Sequence, residues 1–230
     1  MYDDVSIIFP ALNEKERILP TLKDYILTLG PSVEYIVVDN GSTDGTQEAV
    51  LAKFPHVIYV RNEFPLGKGG AVYAGFDVAK GLIVGFTDPD GATSAKEFIK
   101  LLNKAKTSDV VIGSRWLPGS KISPQQPFIR QINSRAFNLA IKTLLPLSLS
   151  DTQCGAKVLK KSVYENIKPY LTQKQFSFDV DLLYHAHRNG FTITEVPILW
   201  SHIEGGGTFK PFQSGFRALW DILNIRKQYS

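Results

Sequence analysis

The sequence predicts an α/β protein with a doubly wound, mainly parallel β-sheet, and two patterns support that prediction. Five short apolar runs in the first half of the chain have the length and composition of buried strands. A helical segment separates each run from the next, and strands that alternate with helices form parallel sheets with right-handed crossovers. The chain has 230 residues, 43% of them hydrophobic, which is enough for one substantial core.

The boundaries of these elements follow from local signals. Two helices begin at a capping-box pattern, in which a polar residue is followed three positions later by glutamate: Asn13 with Glu16, and Ser94 with Glu97. A third helix follows a glycine-rich turn, Gly67-Lys68-Gly69-Gly70. The predicted strands are 5–9, 35–38, 57–60, 82–86 and 109–113, and the predicted helices are 14–29, 46–54, 68–79 and 94–106.

Beyond Arg115 the regular alternation ends. Prolines mark an irregular stretch, after which the pattern predicts a long apolar helix at 128–145, a β segment at 192–203 and a final helix from residue 212. The final helix carries an apolar stripe that includes Trp220 and Leu223, which is typical of a helix on a membrane surface or of one packed on its own core. No linker divides the chain, so we expect one domain spanning residues 1–230.

Acidic and amide side chains follow three of the predicted strands, at the ends where open α/β sheets bind ligands. Asp88 and Asp90 follow the strand 82–86, and Pro89 keeps them extended, so both carboxylates point the same way. Two such carboxylates suit a hard divalent cation that bridges to a substrate phosphate. The same residues also occur in ordinary turns, and acids at strand ends also cap helices, as we expect for Asp44. The row further contains Asn13, Glu14 and Asp39.

Other nucleotide-binding and catalytic patterns are absent from the sequence. No Ser or Thr follows Lys68, as a P-loop requires, and the turn 67–70 lacks the third glycine of a dinucleotide-binding loop. Its glycines therefore predict either a closely packed turn or a backbone that faces an anionic substrate together with Lys68. His185 and His187 do not share a helix face, and no serine lies in a nucleophile-elbow pattern.

Composition limits the partners and the compartment. The formal net charge is +4 without a dense block of Lys and Arg, so we expect no nucleic-acid partner. Cys154 is the single cysteine, which excludes an intramolecular disulfide and indicates a reducing compartment. The sequence starts on a strand without a signal-peptide pattern, and no apolar run approaches the roughly 20 residues of a membrane span. We therefore expect any membrane contact to be peripheral.

Several motifs together make the sequence resemble a known family. They are IIFPALNE at 7–14, VVDNGSTDGT at 37–46, GKGGA at 67–71, DPDGA at 88–92, GSR at 113–115, DTQCG at 151–155 with Lys157, FDVDLL at 178–183, and Trp200 with IEG at 203–205. With these motifs the sequence resembles the family 2 glycosyltransferases of the GT-A fold, and among them the dolichyl-phosphate mannosyl- and glucosyltransferases. The resemblance covers nearly the whole chain. It implies a nucleotide-sugar-binding half at 1–115 and an acceptor-binding part at 116–230.

The resemblance implies a role for each matching residue. Asp88 and Asp90 hold a divalent metal, Mg²⁺ or Mn²⁺, together with the donor diphosphate. Arg115 meets the acceptor phosphate, and Arg130 and Ser134 are further acceptor-phosphate positions. The residues implied to bind the nucleotide are Pro10, Ala11, Leu12, Asn13, Glu14, Asp39, Lys68 and Asp88. Those implied to act in catalysis, near the transferred sugar, are Asp90, Arg115, Asp151, Gln153 and Lys157.

The implied reaction is the inverting, metal-dependent transfer of a hexose from a nucleotide sugar to dolichyl or polyprenyl phosphate, with a β-linked product. The implied donor is GDP-mannose or UDP-glucose, and the implied location is the cytoplasmic face of a membrane. Pro89 replaces a residue that is small in relatives, and Ala92 stands where some relatives supply a further metal ligand. The alternatives are a family 2 transferase acting on a sugar hydroxyl, with Asp151 or Asp179 as base, and a catalytically silent nucleotide-sugar-binding module or a nucleotidyltransferase with a similar fold.

Overall fold

The computed structural model describes residues 2–123, 138, 141–145, 147–201 and 220–227. Its main feature is a seven-stranded sheet with the order β3-β2-β1-β4-β7-β5-β8, beside a two-stranded β6-β9 sheet. The strands are β1 Val5–Ala11, β2 Glu34–Asp39, β3 Ile58–Arg61, β4 Ile83–Thr87, β5 Val110–Ser114, β6 Lys121–Ser123, β7 Ala156–Lys160, β8 Ile193–Pro197 and β9 Leu199–Ser201. The helices are α1 Lys15–Leu29, α2 Thr46–Lys53, α3 Lys68–Val78, α4 Ala95–Ala105, α5 Lys161–Ile167, the short 3₁₀ turn Lys168–Tyr170 and α6 Phe178–Arg188.

The predicted mainly parallel α/β architecture is confirmed. Every strand and helix predicted before residue 115 is present, with ends within two residues of the predicted ones. Strand β7 was not predicted, and it enters the sheet antiparallel to both of its neighbours, β4 and β5. Strand β8 then adds parallel to β5. Because β7 and β8 belong to the same sheet as β1–β5, the residue-115 boundary does not divide the sheet.

Alternate residues of each central strand enter separate cores on the two faces of the sheet, as strand geometry requires. In β1, Ile8 packs with α3, α5 and α6, whereas Ile7 and Phe9 pack with α1, α2 and α4. Helices therefore cover both faces, and the strand ends become the place where loops can form a site.

One of the two capping-box predictions is wrong. Asn13 does not cap α1: it has a φ of 56°, and the N-cap residue is Glu14, whose own side chain makes no capping hydrogen bond. The side-chain oxygen of Asn13 instead accepts a hydrogen bond from the backbone of the loop after β2. At α4 the prediction holds for Ser94, whose hydroxyl accepts the backbone N–H of Glu97 at 3.4 Å.

The final helix presents apolar residues on two sides. Residues 220–227 are helical, and Ile222 and Ile225 are fully buried in the core formed by α3, α5 and α6. Trp220 and Leu223, from the predicted stripe, are instead 63% and 36% exposed. Most of the predicted helices 128–145 and 212 onward lies outside the described residues. Among the residues that are described, none belongs to a helix both long and apolar enough to cross a bilayer.

Candidate active site

The loops after β1 and β2 are joined by side-chain hydrogen bonds at the carboxyl edge of the sheet. The backbone N–H of Asn13 donates to Ser42 Oγ at 2.8 Å, and Asn13 Oδ1 accepts the N–H of Thr43 at 2.8 Å. Asp44 accepts the backbone N–H of the first residue of α1 at 3.1 Å and that of Thr46 at 3.0 Å. Asp44 is therefore a structural cap, as predicted, and the two loops form one rigid wall.

The nucleotide-binding candidates of β1 form part of this wall. Pro10 and Ala11 are buried at the end of the strand, and Leu12 is half-buried after it. The Ala11 carbonyl accepts the N–H of Asn40 at 2.8 Å. These three residues thus offer mainly backbone and apolar surface.

Asp39 is fully buried at the end of β2, with hydrogen bonds to both carboxylate oxygens. Oδ1 accepts the N–H of Ser42 at 2.8 Å. Oδ2 accepts the Tyr59 hydroxyl at 2.9 Å and Arg61 Nη1 at 2.7 Å. Because a carboxylate oxygen accepts about two hydrogen bonds, Oδ1 retains capacity for one donor such as a ribose hydroxyl.

Glu14 is the acid of this edge with the least satisfied carboxyl group. Oε1 accepts Arg17 Nη2 at 2.6 Å, whereas Oε2 is buried and has no partner among the described residues. Burial raises the pKa of Glu14 to about 7, against the effect of Arg17, and the charges of Asp90 and Asp88 raise it further. A hydrogen-bond donor placed beside Oε2 would offset the cost of its desolvation.

Replacing Glu14 with glutamine is expected to stabilise the ligand-free protein at pH 8 by about 2 kcal/mol, and by much less at pH 5. The folded-state pKa of about 7 exceeds the ordinary value of 4.5, so stability is lost as pH rises between the two values. Glutamine carries no such charge and still accepts from Arg17. Urea unfolding of both proteins at the two pH values tests this; an equal difference at pH 5 and pH 8 would contradict it.

Asp88 and Asp90 follow β4 and are close enough for their charges to interact, but Pro89 and Asp90 form a turn rather than the predicted extended backbone. Asp88 Oδ1 is 2.5 Å from Lys68 Nζ, and Asp90 Oδ1 accepts the N–H of Ala92 at 2.9 Å. Burial raises the pKa of Asp90, and the charge of Asp88 raises it further. The negative charge of Asp90 is therefore unfavourable in the ligand-free fold, and a bound cation would relieve it.

The glycine-rich turn is closely packed, which was one of the two interpretations of its sequence. A Cβ added at Gly67 would lie 2.4 Å from the Lys174 carbonyl oxygen, and one at Gly69 would lie 2.3 Å from Phe178 Cβ, so the turn is closely packed. Lys68 nevertheless reaches Asp88. Burial opposes the charged form of Lys68, but Asp88 and Asp179 outweigh it and raise its pKa. Lys68 is thus a stable cation beside the carboxylates.

Arg115, at the end of β5, is clamped by Asp151. Its backbone N–H and Nε donate to Asp151 Oδ2 at 3.0 and 2.7 Å, and Nη2 donates to Oδ1 at 2.9 Å. The guanidinium also lies 5.5 Å from the ring centroid of Trp200. Glu195 in turn accepts the backbone N–H groups of Ser150 and Asp151. Arg115 Nη1 donates to no residue in the described part of the chain.

Electrostatics connect this clamp to the carboxylate pair. Burial acts to lower the pKa of Arg115, but Asp151 outweighs it and raises the pKa, with a contribution from Asp88. The Arg115 guanidinium therefore stays charged and lies within electrostatic range of Asp88. Glu195 was not predicted as part of the site; no local pattern in β8 indicates its contact with residues 150–151.

Lys157 lies beneath the site rather than in contact with solvent. Its side chain is fully buried, and Nζ donates to the Cys154 carbonyl at 2.7 Å and to Asp179 Oδ1. Burial raises the pKa of Asp179, against the effects of Lys157 and Lys68. Gln153, which the resemblance also implied in catalysis, is half-buried in the loop that leads into β7. The predicted acceptor-phosphate residues Arg130 and Ser134 lie outside the described residues.

The metal prediction rests on two side chains. Within the ranges that the structure describes, no group of three or more His, Cys, Asp or Glu side chains has the arrangement of a metal site. Asp88 and Asp90 could hold a hard cation only if diphosphate oxygens or water completed its coordination, which is common for Mg²⁺. The raised pKa of Asp90 and the bare Glu14 Oε2 fit such an arrangement.

Comparison with known sequences gives one matching family model and several relatives. The family model described as Glycosyl transferase family 2 matches residues 6–168. A dolichyl-phosphate beta-glucosyltransferase of Dictyostelium discoideum is 33% identical over 244 residues, which cover 98% of this chain and 74% of that protein. A polyprenol monophosphomannose synthase of Mycolicibacterium smegmatis is 33% identical over 211 residues, covering 87% of this chain and 78% of that protein.

Comparison with solved structures shows the same fold in a distant protein. Glucosyl-3-phosphoglycerate synthase from Mycobacterium tuberculosis, in complex with Mn²⁺, UDP and phosphoglyceric acid, superposes with a TM-score of 0.70 at 20% identity. The superposition covers 96% of this chain and 78% of that chain. The same synthase in complex with Mg²⁺ and UDP gives a TM-score of 0.69 at 19% identity, over 96% of this chain and 78% of that one.

Proposed function

The chain belongs to glycosyl transferase family 2 and has the GT-A fold, and from this membership we propose that it transfers a hexose from a nucleotide sugar to a polyprenyl phosphate. Relatives that cover most of the chain are named for transfer to dolichyl phosphate or for synthesis of a polyprenol monophosphomannose. The observation that carries the proposal is the meeting of two carboxylates, Asp88 and Asp90, with two cations, Lys68 and Arg115. This charge pattern suits two phosphate-bearing substrates.

The donor would lie along the carboxyl ends of β1, β2 and β4. The wall formed by residues 10–14 and Asp39 would hold the nucleoside, and Asp88 and Asp90 would hold Mg²⁺ or Mn²⁺ against the diphosphate. The metal ion, when bound, would stabilise the negative charge of the departing nucleoside diphosphate. Lys68, beside Asp88, would add a fixed positive charge at the same place.

The acceptor phosphate would meet Arg115. A phosphate monoester is already anionic at neutral pH, so it needs alignment more than a general base. Asp151 orients the guanidinium through hydrogen bonds from Nε and Nη2, and Nη1 makes no hydrogen bond to a described residue. In-line attack of a phosphate oxygen on the anomeric carbon would break its bond to the diphosphate and invert the configuration, giving a β-linked product.

A sugar-hydroxyl acceptor is less well supported by the side chains present. It would need a carboxylate base, and Asp151 and Asp179 were the candidates. Asp151 accepts three hydrogen bonds from Arg115, and Asp179 is buried against Lys157. Neither carboxylate is placed to accept a proton from a substrate without loss of these bonds.

The donor sugar is decided by a transfer experiment. Purified protein is incubated with polyprenyl phosphate in detergent, Mn²⁺ or Mg²⁺, and radiolabelled UDP-glucose or GDP-mannose. Label entering the organic phase from one donor would establish the reaction and identify the sugar; the dolichyl-phosphate beta-glucosyltransferase that aligns over 98% of this chain leads us to expect glucose. Polyprenol without the phosphate is the matched control. Label transfer to polyprenol at the same rate would refute a phosphate acceptor.

The proposed membrane contact has a specific candidate surface, here called the apolar rim. It consists of Phe64 and Leu66 before α3, Phe176 before α6, and Trp220 and Leu223 on the final helix, all exposed. These segments adjoin: a Cβ at Gly70 would touch both Leu66 and Lys174, and Ser177 Oγ donates to Asp221 Oδ2 at 2.6 Å. Exposed cations beside the rim are Lys174, Arg226 and Lys227. Aromatic and basic side chains together suit the anionic surface of a membrane's cytoplasmic leaflet.

The double variant F64S/W220S is expected to bind anionic phospholipid vesicles about tenfold or more weakly than wild type. Each aromatic side chain is proposed to bury apolar area in the membrane, and serine cannot do so. Vesicle flotation measures the bound fraction. Leu27 is 74% exposed on α1 and belongs to the opposite layer of helices, so L27S is the control and should bind like wild type. Equal flotation of the double variant and wild type would exclude the apolar rim as the contact.

A further inference from the structure

Gly155 lies directly against the carboxylate of Asp88. The two residues are already joined by the backbone, since the N–H of Asp88 donates to the Gly155 carbonyl at 3.1 Å. A Cβ built on Gly155 would lie 1.9 Å from Asp88 Oδ2 and 2.4 Å from its Cγ, far inside contact distance. Gly155 is not among the glycines with positive φ, so its backbone imposes no requirement for glycine. The requirement comes only from the space that the Asp88 carboxylate occupies.

We propose that Gly155 is a positioning residue for Asp88, whose missing side chain makes room for the carboxylate in the orientation that binds the donor. The inference rests on the proposed function, because it concerns the same metal–diphosphate site. On the other side of the carboxylate, Lys68 Nζ approaches Oδ1 at 2.5 Å. Asp88 is thus held between the Gly155 backbone and Lys68, and a side chain at position 155 would force it to rotate.

Neighbouring contacts prevent the backbone at Gly155 from shifting away from Asp88. Strand β7 begins at the next residue and pairs with β4 and β5 on its two sides, with Ala156 opposite Thr87. The preceding carbonyl, of Cys154, accepts Lys157 Nζ at 2.7 Å, and Lys157 is itself fixed by Asp179. A buried ion pair and two strand ladders therefore keep this peptide in place, and Asp88 is the group that must move.

The test uses G155A and measures binding in addition to activity. Free Mn²⁺ is followed by electron paramagnetic resonance during titration with and without UDP. Displacement of Asp88 is expected to weaken Mn²⁺–UDP binding about 10- to 100-fold, the usual cost of disturbing a metal ligand's support. The control is G75A, whose added Cβ would lie 2.6 Å from the Ile8 side chain, away from Asp88. It should lower Tm and leave the binding of Mn²⁺–UDP unchanged.

A double-variant comparison separates the steric claim from the proposed function. D88A removes the atoms that the new methyl group would strike, so adding G155A to D88A should lower Tm far less than adding it to wild type. The melting comparison remains decisive if G155A is poorly folded, or if the wild type binds no Mn²⁺–UDP; the latter result would count against a uridine nucleotide donor and would leave the steric claim intact. An equal fall of Tm in both backgrounds, or wild-type Mn²⁺–UDP binding by G155A, would overturn the positioning role.

Discussion

D90N is expected to lower the rate of hexose transfer about 100- to 1000-fold without destabilising the fold. Asparagine keeps the shape and the acceptor oxygen for the N–H of Ala92, but it removes one of the two charges proposed to hold the metal–diphosphate group. Burial and the charge of Asp88 already raise the pKa of Asp90, so the carboxylate is unfavourable in the ligand-free fold. Removing that charge should leave Tm equal to or above that of wild type.

The measurement is kcat/KM for donor transfer, together with a melting curve for each protein. D77N is the matched control, because Asp77 is a half-exposed carboxylate on α3 that pairs with Lys168 and belongs to no part of the site. It removes the same charge and should retain the wild-type rate. Transfer by D90N within tenfold of wild type would show that this carboxylate does not support the reaction.

The second large effect is expected on stability, at the buried pair of Lys157 and Asp179. D179N removes the negative charge that balances the Lys157 ammonium in the core, where the Cys154 carbonyl and the Phe86 ring are uncharged partners, and this is expected to cost about 3–5 kcal/mol. For a chain of this size that corresponds to a fall in Tm on the order of 10 °C. Urea unfolding followed by circular dichroism measures the free energy directly.

Replacing both members of the pair gives the control. A K157M and D179L double variant removes both charges, and a buried ion pair exchanged for apolar side chains is often neutral in stability. The double variant should therefore be more stable than D179N. If D179N is as stable as wild type, the Lys157 ammonium does not depend on the Asp179 carboxylate for its burial. The stability experiment needs no substrate, so its outcome is independent of the proposed reaction.

Much of the fold follows from the sequence because its central strands are continuous apolar runs. Such runs are typical of strands covered on both faces, and they located β1 to β5 within two residues. Strand β7 was not predicted because two of its five residues, Lys157 and Lys160, are charged, and one of them, Lys157, is fully buried. Its burial depends on Asp179, which is remote in sequence. The cap predicted at Asn13 failed for a similar reason, since its amide bonds Thr43 in the next loop.

The contacts of the candidate site also form two groups, those that the sequence indicates and those that it does not. Asp88, Asp90 and Lys68 could be grouped from sequence because the ends of parallel strands and the following helix meet at one edge. The pairing of Arg115 with Asp151, 36 residues apart, and the contact of Gly155 with Asp88 depend on the antiparallel insertion of β7. No periodicity or local motif encodes those contacts. They require the complete sheet.

The most direct test of the proposed function follows the phosphorus atom of the acceptor. Polyprenyl phosphate, the preferred nucleotide sugar and Mn²⁺ are incubated with the protein, and the extracted lipid is examined by ³¹P NMR. The proposal predicts that the phosphomonoester signal is replaced by a phosphodiester signal bearing one hexose on phosphate. An unchanged monoester signal in lipid that has nevertheless gained sugar, or sugar transfer only to hydroxyl acceptors, would contradict it.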